Sequence, residues 1–461
     1  MVSGLVRGPG ELAGACAAVI AEPGGVSVGS GVAAAGASDA ALDGRRKNEI
    51  LDTAARLFAS SGLRTSLQEI ADECGIKPGS LYHHFESKEA IVVELLERYH
   101  AELDRLAEIA VRQLKDPDRR VPAEQIVWLG TAIAQCAVRH SAAVQFTFYD
   151  PPVRASDELA QLSSRAPYAI ESAMLETLRA GRESGFIRPG IDLGVLADRI
   201  CQTMLHVGLG LFHRYTAVDR VAGLLCAIMI HGVAAVPAED AELDRSAAML
   251  AVERVIRQWD DSDQDPQDGR AAVIRRAARA EFGRRGYEVT TVRDIASAAG
   301  LSTGTVYRTI GSKEELLDTI MSSFYEKVLA GWNAALESGS TAVEKLDALA
   351  WLQINVLERF SDEFKIQLAW MRQSPPDAAV PGWPFQVAIR QLKALLSQGT
   401  RLRLLRVESP SSELTARCVI ELTWMPEQIV RDQGKRAALI HARDTVLRGV
   451  AAENRARVRQ G

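Results

Sequence analysis

The sequence has little of what several common protein classes require. It holds six cysteines, which lie far apart at Cys16, Cys74, Cys136, Cys201, Cys226 and Cys418. None of them forms the close pair of a zinc knuckle or of a redox C-x-x-C motif, and a chain of 461 residues is long enough to fold without a disulfide framework. No apolar run approaches the roughly 20 residues that a membrane-spanning helix needs. We therefore expect a protein of the reducing cytoplasm that binds no metal, no cofactor and no membrane.

An excess of positive charge is also absent, since 54 Lys and Arg residues stand against 59 Asp and Glu residues. A nucleic-acid partner would have to be bound by a local basic patch. A plausible catalytic constellation is absent too, so we expect no enzyme activity. The segment GLSTG at Gly300 matches the G-x-S-x-G nucleophile elbow, but a helical pattern precedes it and Ser302 suits a helix N-cap. The adjacent His83 and His84 point to different faces and would chelate one metal ion poorly.

An internal repeat is the most informative feature that is present. The stretch GIKPGSLYHHFESKEAI from Gly75 has the same skeleton as GLSTGTVYRTIGSKEEL from Gly300, a separation of 225 residues (300 minus 75). Upstream, Phe58 matches Phe282 at a separation of 224 (282 minus 58), so one residue has been lost or gained in the loop after Gly62. Matched elements on both sides of a loop indel are typical of a duplicated fold.

Each copy shows the pattern of several helices. Apolar residues at i, i+4 and i+8 predict an opening helix that ends at a glycine, Gly62 or Gly286. A second helix, a glycine turn and a third short helix follow, and Ser312 with Glu315 forms a capping box for the fourth helix of copy two. The residues expected to face inward are Ile50, Ala54, Phe58, Leu67, Ile70, Ala71, Leu81 and Phe85, and in copy two Ile274, Ala278, Phe282, Val292, Ile295, Ala296, Val306 and Ile310.

Two helices joined by a glycine turn, the second one exposing hydroxyl, aromatic and basic groups, are the pattern of a DNA-binding helix-turn-helix. The segments LQEIADECGIKPGSLYHHFESKEAI and VRDIASAAGLSTGTVYRTIGSKEEL resemble the DNA-binding domain of TetR-family transcriptional regulators. Copy two departs from the family pattern at Thr309 and Ile310, where an aromatic residue or His and then Phe are usual. The resemblance implies DNA contacts by Lys77, Ser80, Tyr82, His83, His84, Lys88, Ser302, Thr303, Thr305, Tyr307, Arg308, Thr309 and Lys313.

The repeat also sets the expected domains. The acidic stretch DDSDQDPQDG from Asp260 has no apolar residue to bury and predicts a solvated linker. The first residues are rich in Ala, Gly and Val but have a weak positive end, which favours a disordered leader over a signal peptide. We expect a leader at 1–43, a first helix-turn-helix domain at 44–100, a first helical regulatory domain at 101–259, a linker at 260–268, a second helix-turn-helix domain at 269–327 and a second helical regulatory domain at 328–461.

The long regulatory segments are too apolar for exposed helices, and they belong in a core, an interface or a ligand cavity. In the resembled family this domain binds a small effector and forms a dimer interface. Plain core packing is the alternative for every aromatic residue or histidine in these segments. The segment LRAGRESGFIRPGIDLGVLADRI is similar to regulators that sense acyl-CoA thioesters, which implies an apolar effector such as an acyl-CoA or lipid. Candidate pocket residues are Phe146, Phe148, Tyr149, His206, Phe212 and His213, and in copy two Trp351, Trp370, Trp383 and Trp424.

The sequence therefore predicts an all-α protein of two tandem TetR-like units. We expect a ligand-responsive repressor that binds double-stranded operator DNA as a pseudo-dimer within one chain, with further homodimerisation open. Because the two recognition helices differ, the two half-sites need not be identical. One alternative is a sensor or dimerisation protein of the same fold in which only the first helix-turn-helix binds DNA. The other alternative is an enzyme.

Overall fold

A computed structural model of the chain describes residues 34–61, 65–116, 120–147, 151, 155–209, 217–262, 269–373, 385–407, 409 and 411–452. The chain divides into two units, residues 1–48 and 49–461, and both repeats lie in the second unit. Within the described ranges the regular structure is helical apart from two isolated β-bridges, which confirms the all-α prediction. None of the described helices is both long and apolar enough to cross a membrane.

The described helices of the first repeat occupy the chain as far as the linker, and residues 49–262 are called the first half below. These helices are α1 Ala34–Ser61, α2 Leu67–Glu73, α3 Pro78–His84, α4 Lys88–Leu114, α5 Pro122–Arg139, α6 Ser141–Phe146, α7 Asp157–Ser163, α8 Tyr168–Glu183, α9 Leu193–His206, α10 Val218–His231, α11 Asp240–Asp244 and α12 Ala247–Ser262. A 3-10 turn, Val207–Leu209, extends α9.

The second repeat gives a similar series, and residues 269–452 are called the second half. Its described helices are α13 Gly269–Arg285, α14 Val292–Ala298, α15 Thr303–Ile310, α16 Lys313–Glu337, α17 Ala342–Arg359, α18 Ser361–Gln373, α19 Phe385–Arg401, α20 Ser412–Thr423 and α21 Glu427–Ala442. A π-helical turn, Arg443–Leu447, follows α21, which is kinked at Gly434.

The predicted inward faces of the recognition domains are confirmed. Of the residues expected to face inward, all but two are buried, and the two exceptions, Leu67 and Ile310, are partly buried. Gly286 follows the last residue of α13 with a φ of +88°, the left-handed conformation that favours glycine at this position. Gly62, its predicted counterpart, lies outside the described residues.

Two predicted segment boundaries differ from the helices that the structure shows. Helix α1 begins at Ala34, inside the segment expected to be a disordered leader. Helix α12 continues to Ser262, three residues into the expected linker, and residues 263–268 lie outside the described part of the chain. Helix ends made of polar or small residues are hard to predict from the sequence, because they lack the periodic apolar face that indicates a helix.

Helix α12 belongs to the first repeat by sequence but packs into the second half. Trp259 is buried and meets the ring of Phe360 edge to face at a centroid distance of 5.0 Å. The N–H of Ala248 donates to the Ser340 hydroxyl at 2.9 Å, and Met249 lies in a cluster of second-half side chains. The apolar face of α12 is covered by α16 and α17. The expected boundary at Trp259 therefore marks the end of the first repeat in the sequence, but α12 packs mainly against helices of the second half.

The two halves are joined by main-chain hydrogen bonds. Val233 N–H donates to the Val446 carbonyl at 2.8 Å, and Val450 N–H donates to the Met229 carbonyl at 3.1 Å. This close crossing requires two glycines with positive φ, Gly232 at +72° and Gly449 at +74°. A Cβ on either glycine would overlap the backbone of the opposite segment. We call this crossing the glycine junction.

An ionic cluster around a buried arginine lies beside the glycine junction. The guanidinium of Arg443 is fully buried and donates to Asp347 at 2.8 Å, to Asp244 at 2.7 Å and to Asp240 at 3.3 Å. Asp240 and Asp244 belong to the first half, and Asp347 belongs to the second. Because a buried charge is stable only when partners complete its hydrogen bonds, Arg443 ties α11 of the first half to α17 of the second.

Substituting Gly232 tests the glycine junction, because alanine adds both a strained φ and an overlap with the opposite backbone. We expect G232A to lower the free energy of unfolding by about 1–2 kcal/mol through the positive φ and by about 1–3 kcal/mol more through overpacking. The control is G190A, since Gly190 also has a positive φ of +89° but a Cβ there would meet nothing within 4 Å. Urea denaturation measures the free energy of unfolding of both variants. Equal losses in the two would contradict a close backbone crossing at Gly232.

Candidate nucleic-acid interface

The first recognition motif consists of α2, a glycine turn and α3. Helix α2 begins with a capping box, in which the Ser66 hydroxyl accepts from the Glu69 N–H at 3.1 Å and Glu69 accepts from the Ser66 N–H at 2.6 Å. Gly75 then has a φ of +65°, and a Cβ there would meet nothing within 4 Å. Glycine is therefore required for its backbone conformation alone. Pro78 begins α3, where its fixed φ suits the first helical position.

The second recognition motif repeats these devices with other residues. Thr291 and Asp294 form the capping box of α14, with distances of 3.2 Å and 2.8 Å. Gly300 has the same φ of +65° as Gly75 and the same open surroundings. The Ser302 hydroxyl then accepts from the Thr305 N–H at 3.2 Å and caps α15. Helix α14, and not a strand, precedes the G-x-S-x-G segment, so Ser302 is the predicted N-cap and does not lie in a nucleophile elbow.

Both recognition helices bury one face and expose the other. Leu81 and Val306 are fully buried, whereas Tyr82 and Tyr307 are 55% and 52% exposed. The two tyrosines therefore occupy equivalent exposed positions that suit contact with DNA. Among the residues implied by the family resemblance, Lys77, Ser80, Tyr82, His83, Ser302, Tyr307, Arg308 and Thr309 are exposed, and His84, Lys88, Thr303, Thr305 and Lys313 are partly buried.

The polar face of α15 is ordered by its own helix. Arg308 Nε donates to the Gly304 carbonyl at 3.2 Å, and the Thr309 hydroxyl donates to the Thr305 carbonyl at 2.9 Å. The hydroxyls of Ser302 and Thr305 lie 2.8 Å apart. These contacts hold the guanidinium of Arg308 along the exposed face of α15.

Lys88 and Lys313, both predicted to contact DNA, have different surroundings. Lys313 Nζ donates to the carbonyls of Tyr287 at 2.8 Å and Thr290 at 2.9 Å, and it lies 4.1 Å from the centre of the Tyr287 ring. It therefore fastens α16 to the loop that precedes α14. Burial lowers the pKa of Lys88, and the nearby carboxylate of Glu69 opposes that shift. The role of Tyr287 was not predicted from the sequence, where its one signal is an aromatic residue directly after the helix-ending Gly286.

The departure of copy two from the family pattern has a structural consequence. Helix α3 ends at His84, and Phe85 follows in an extended conformation with its ring buried. Helix α15 includes Ile310, which is partly buried, and it ends at Gly311 with a φ of +74°. Ile310, which has the smaller side chain, remains in the helix. Gly311 then makes the turn that the extended Phe85 makes in the first motif.

A cavity of about 500 Å³ lies where the two halves meet. Most of its lining comes from α16 to α20, and Thr147, Thr203 and His206 of the first half also contribute. Of the predicted pocket residues, His206 and Trp424 line this cavity, and Phe146 packs against the Phe58 ring at 5.6 Å. Trp351 is not part of the lining, and Phe148, Tyr149, Phe212, His213 and Trp383, as well as the side chain of Trp370, lie outside the described residues.

One group of metal-ligating residue types comes together in the described chain, at Glu102, Cys136 and His140, whose ligand atoms lie within 4.8 Å. Glu102 already accepts from Nε2 of His140 at 2.8 Å and from Arg139. Burial, followed by the charge of Glu102, raises the pKa of the Cys136 thiol to about 12. Glu102 of α4 is therefore already paired with Arg139 and His140 at the end of α5, and the Cys136 thiol beside it is protonated.

Comparison with known proteins agrees with the two motifs. Residues 50–95 and residues 274–320 each match the family of bacterial regulatory proteins, tetR family. The HTH-type transcriptional repressor KstR2 of Rhodococcus jostii (strain RHA1) is 33% identical over 202 residues, which span 43% of this chain and 96% of that protein. The chain belongs to the TetR family. It is a DNA-binding transcriptional regulator with two tandem TetR units, as the repeat predicted.

One further sequence relative and one solved structure are also named KstR2. KstR2 of Mycobacterium tuberculosis (strain CDC 1551 / Oshkosh) is 34% identical over 160 residues, 33% of this chain and 74% of that protein. The solved structure of the ketosteroid transcriptional regulator KstR2 of Mycobacterium tuberculosis is 28% identical and covers 40% of this chain and 92% of that one, with a TM-score of 0.34. The two KstR2 sequence relatives are transcriptional repressors by name.

Replacing Lys313 tests whether its ammonium orders the second TetR motif. We expect K313M to reduce the free energy of unfolding by about 1–2 kcal/mol, because two charge-assisted hydrogen bonds are lost at a partly buried site. Amide hydrogen exchange should also quicken between Gly286 and Thr291. The control is K345M on α17, the same substitution outside the motif. Equal stability of the two variants, with unchanged exchange, would show that the carbonyl contacts contribute nothing.

Proposed function

We propose that the chain is a ligand-responsive repressor whose two halves bind one operator as a pseudo-dimer. The observation that supports this most directly is that both recognition helices expose their outer faces while the glycine junction fuses the two halves. Ordinary TetR regulators use two chains for a two-fold operator, because protein symmetry mirrors operator symmetry. The repressor names of the KstR2 relatives support repression over activation. Such a regulator would act in the cytoplasm, at the chromosome.

The two half-sites of this operator would differ. The sequence Tyr82-His83-His84 in the first motif corresponds to Tyr307-Arg308-Thr309 in the second. An arginine can bind O6 and N7 of guanine with two hydrogen bonds, which a histidine cannot do. We therefore assign a guanine preference to the half-site of α15.

A second candidate function has its own observation. Lys313 is held by the carbonyls of Tyr287 and Thr290, and Arg308 is bonded to its own helix. If these groups do not leave their partners for DNA, only the first motif binds DNA, and the second half serves as a sensor and dimerisation module.

The proposed effector is a small apolar molecule that occupies the cavity between the halves. The lining is mostly apolar, with side chains such as Phe324, Leu357 and Trp424. The similarity to acyl-CoA-sensing regulators extends this proposal to a CoA thioester or a lipid, whose apolar part would enter the cavity. Such a ligand lowers DNA affinity only if it binds one arrangement of the recognition motifs better than another.

Helix α18 gives the cavity a route to the second recognition motif. Phe364, Gln367 and Leu368 of α18 line the cavity. At its N-terminal end, α18 contacts α13, where Arg279 pairs with the buried Glu363 at 3.1 Å. A Cβ on Gly283 of α13 would lie 2.8–2.9 Å from Asp362, so the two helices have no slack. Displacement of α18 by a ligand would therefore displace α13.

Footprinting tests the pseudo-dimer. Duplexes selected from a random-sequence library by the purified chain are footprinted at known protein-to-DNA stoichiometry. We expect one chain to protect two unlike half-sites whose centres lie about 34–36 Å apart, one turn of DNA. Two chains on a symmetric site would refute the single-chain arrangement.

Matched variants assign the half-sites. H83A and R308A remove exposed side chains at equivalent positions, and each should weaken base preference in one half-site, a different one in each case, by about 1–3 kcal/mol. Quantitative binding to operators with single base changes measures this preference. If R308A leaves both half-sites unchanged, the second motif does not bind bases and the second candidate function is correct.

A substitution at Gly283 tests the link between α18 and the second motif. G283A forces α13 away from Asp362, so we expect operator affinity to fall about tenfold, which corresponds to about 1.4 kcal/mol of misplacement. The control is G339A in the loop before α17, where a Cβ would meet nothing within 4 Å. Equal operator affinities, measured by fluorescence anisotropy, would show that α13 is not coupled to α18.

A further inference from the structure

The polar atoms of the cavity point to the chemistry of its ligand. Gln353 of α17 and Gln367 of α18 both line the cavity, and they are only 3% and 2% exposed. The Oε1 atoms of both side chains have no hydrogen-bond partner among the residues that the structure describes. Buried amide oxygens are almost always bonded, because a buried acceptor without a donor is unfavourable. Two such oxygens on residues that line one apolar cavity indicate a donor that a ligand supplies.

The charged groups of the lining argue against an anionic ligand group, and its mostly apolar surface argues against any buried ligand charge. Glu421 is buried and adds another acceptor, with its Oε1 3.6 Å from Nδ1 of His206. The two cations of the lining, Lys365 and Arg431, both face Glu427, at 3.9 Å and 2.5 Å. The lining therefore offers hydrogen-bond acceptors in excess, and its cations already have a carboxylate partner. An anionic group would find no unoccupied cation among these residues.

We infer that the effector is an apolar molecule whose buried end carries a neutral hydrogen-bond donor, a hydroxyl or an N–H, which Gln353 and Gln367 recognise. This inference rests on the proposed effector site and names the class of ligand that the site selects. A site built to bond a hydroxyl discriminates strongly against an analogue without it, since its own polar atoms are then left unpaired. Gln353 and Gln367 are thus the specificity-determining residues of the cavity. If the effector is a thioester, its anionic part lies outside this lining.

Two isomeric probes test the inference on the intact chain. Decan-1-ol and methyl nonyl ether have the same formula, and both carry one oxygen, but only the alcohol donates a hydrogen bond. Trp332 and Trp424 line the cavity, so tryptophan fluorescence reports occupancy without DNA. We expect the wild-type chain to bind the alcohol about tenfold or more tightly than the ether. Equal affinity for the two probes, or binding of neither, would overturn the inference.

Variants then locate the discrimination. Q353M and Q367M keep the side-chain length and remove the amide oxygen, so each should reduce the preference for the alcohol, and the double variant should abolish it. Q398M, an exposed glutamine on α19, is the matched control and should keep the wild-type preference. A preference that survives in the double variant would overturn the assignment to these two residues. Footprinting of the same preparations separates the two questions, because a chain that protects DNA but does not discriminate refutes this inference alone.

Discussion

The backbone crossing at Gly232 and Gly449 fixes the relation between the two halves. Side-chain packing alone lets two helical surfaces slide, whereas main-chain hydrogen bonds have a set length and direction. Those bonds form only because neither glycine carries a Cβ, which would overlap the opposite backbone. Arg443 strengthens the same region, since its buried charge needs carboxylates from both halves. Any separation of the halves would break these backbone hydrogen bonds. It would at the same time leave the buried charge of Arg443 without its carboxylate partners.

The packing of α12 into the second half makes the two halves interdependent in a second way. Trp259 completes an aromatic series with Phe360 and Phe324, and Phe324 also lines the cavity. The last helix of the first repeat is therefore part of the core that surrounds the cavity of the second half. In the same region, α9 of the first half supplies His206 to the lining. A ligand in the cavity would thus contact groups from both halves, and the proposed route from it to a recognition motif runs through α18 and α13.

The recognition motifs could be predicted from the sequence because local rules determine them. A glycine with positive φ at Gly75 and Gly300, capping residues at Ser302 and Ser312, and apolar spacing all act within a few residues. The features that escaped prediction depend on contacts between distant segments. One of them is the contact of Lys313 with two carbonyls about 25 residues upstream. The packing of α12 and the cavity between the halves are likewise set by surfaces that meet only in the folded chain.

Fusion of two TetR units in one chain removes the constraint of symmetry. In a homodimer, every change to a recognition helix appears twice, so the half-sites and the effector response change together. Here His83 and Arg308 occupy equivalent positions and differ, and Phe85 and Ile310 differ in the same way. The contact of α18 with α13 would likewise pass a ligand signal to the second motif first. In the proposed pseudo-dimer, one motif would be able to stay bound to its half-site while the other responds, because the two are no longer copies of each other.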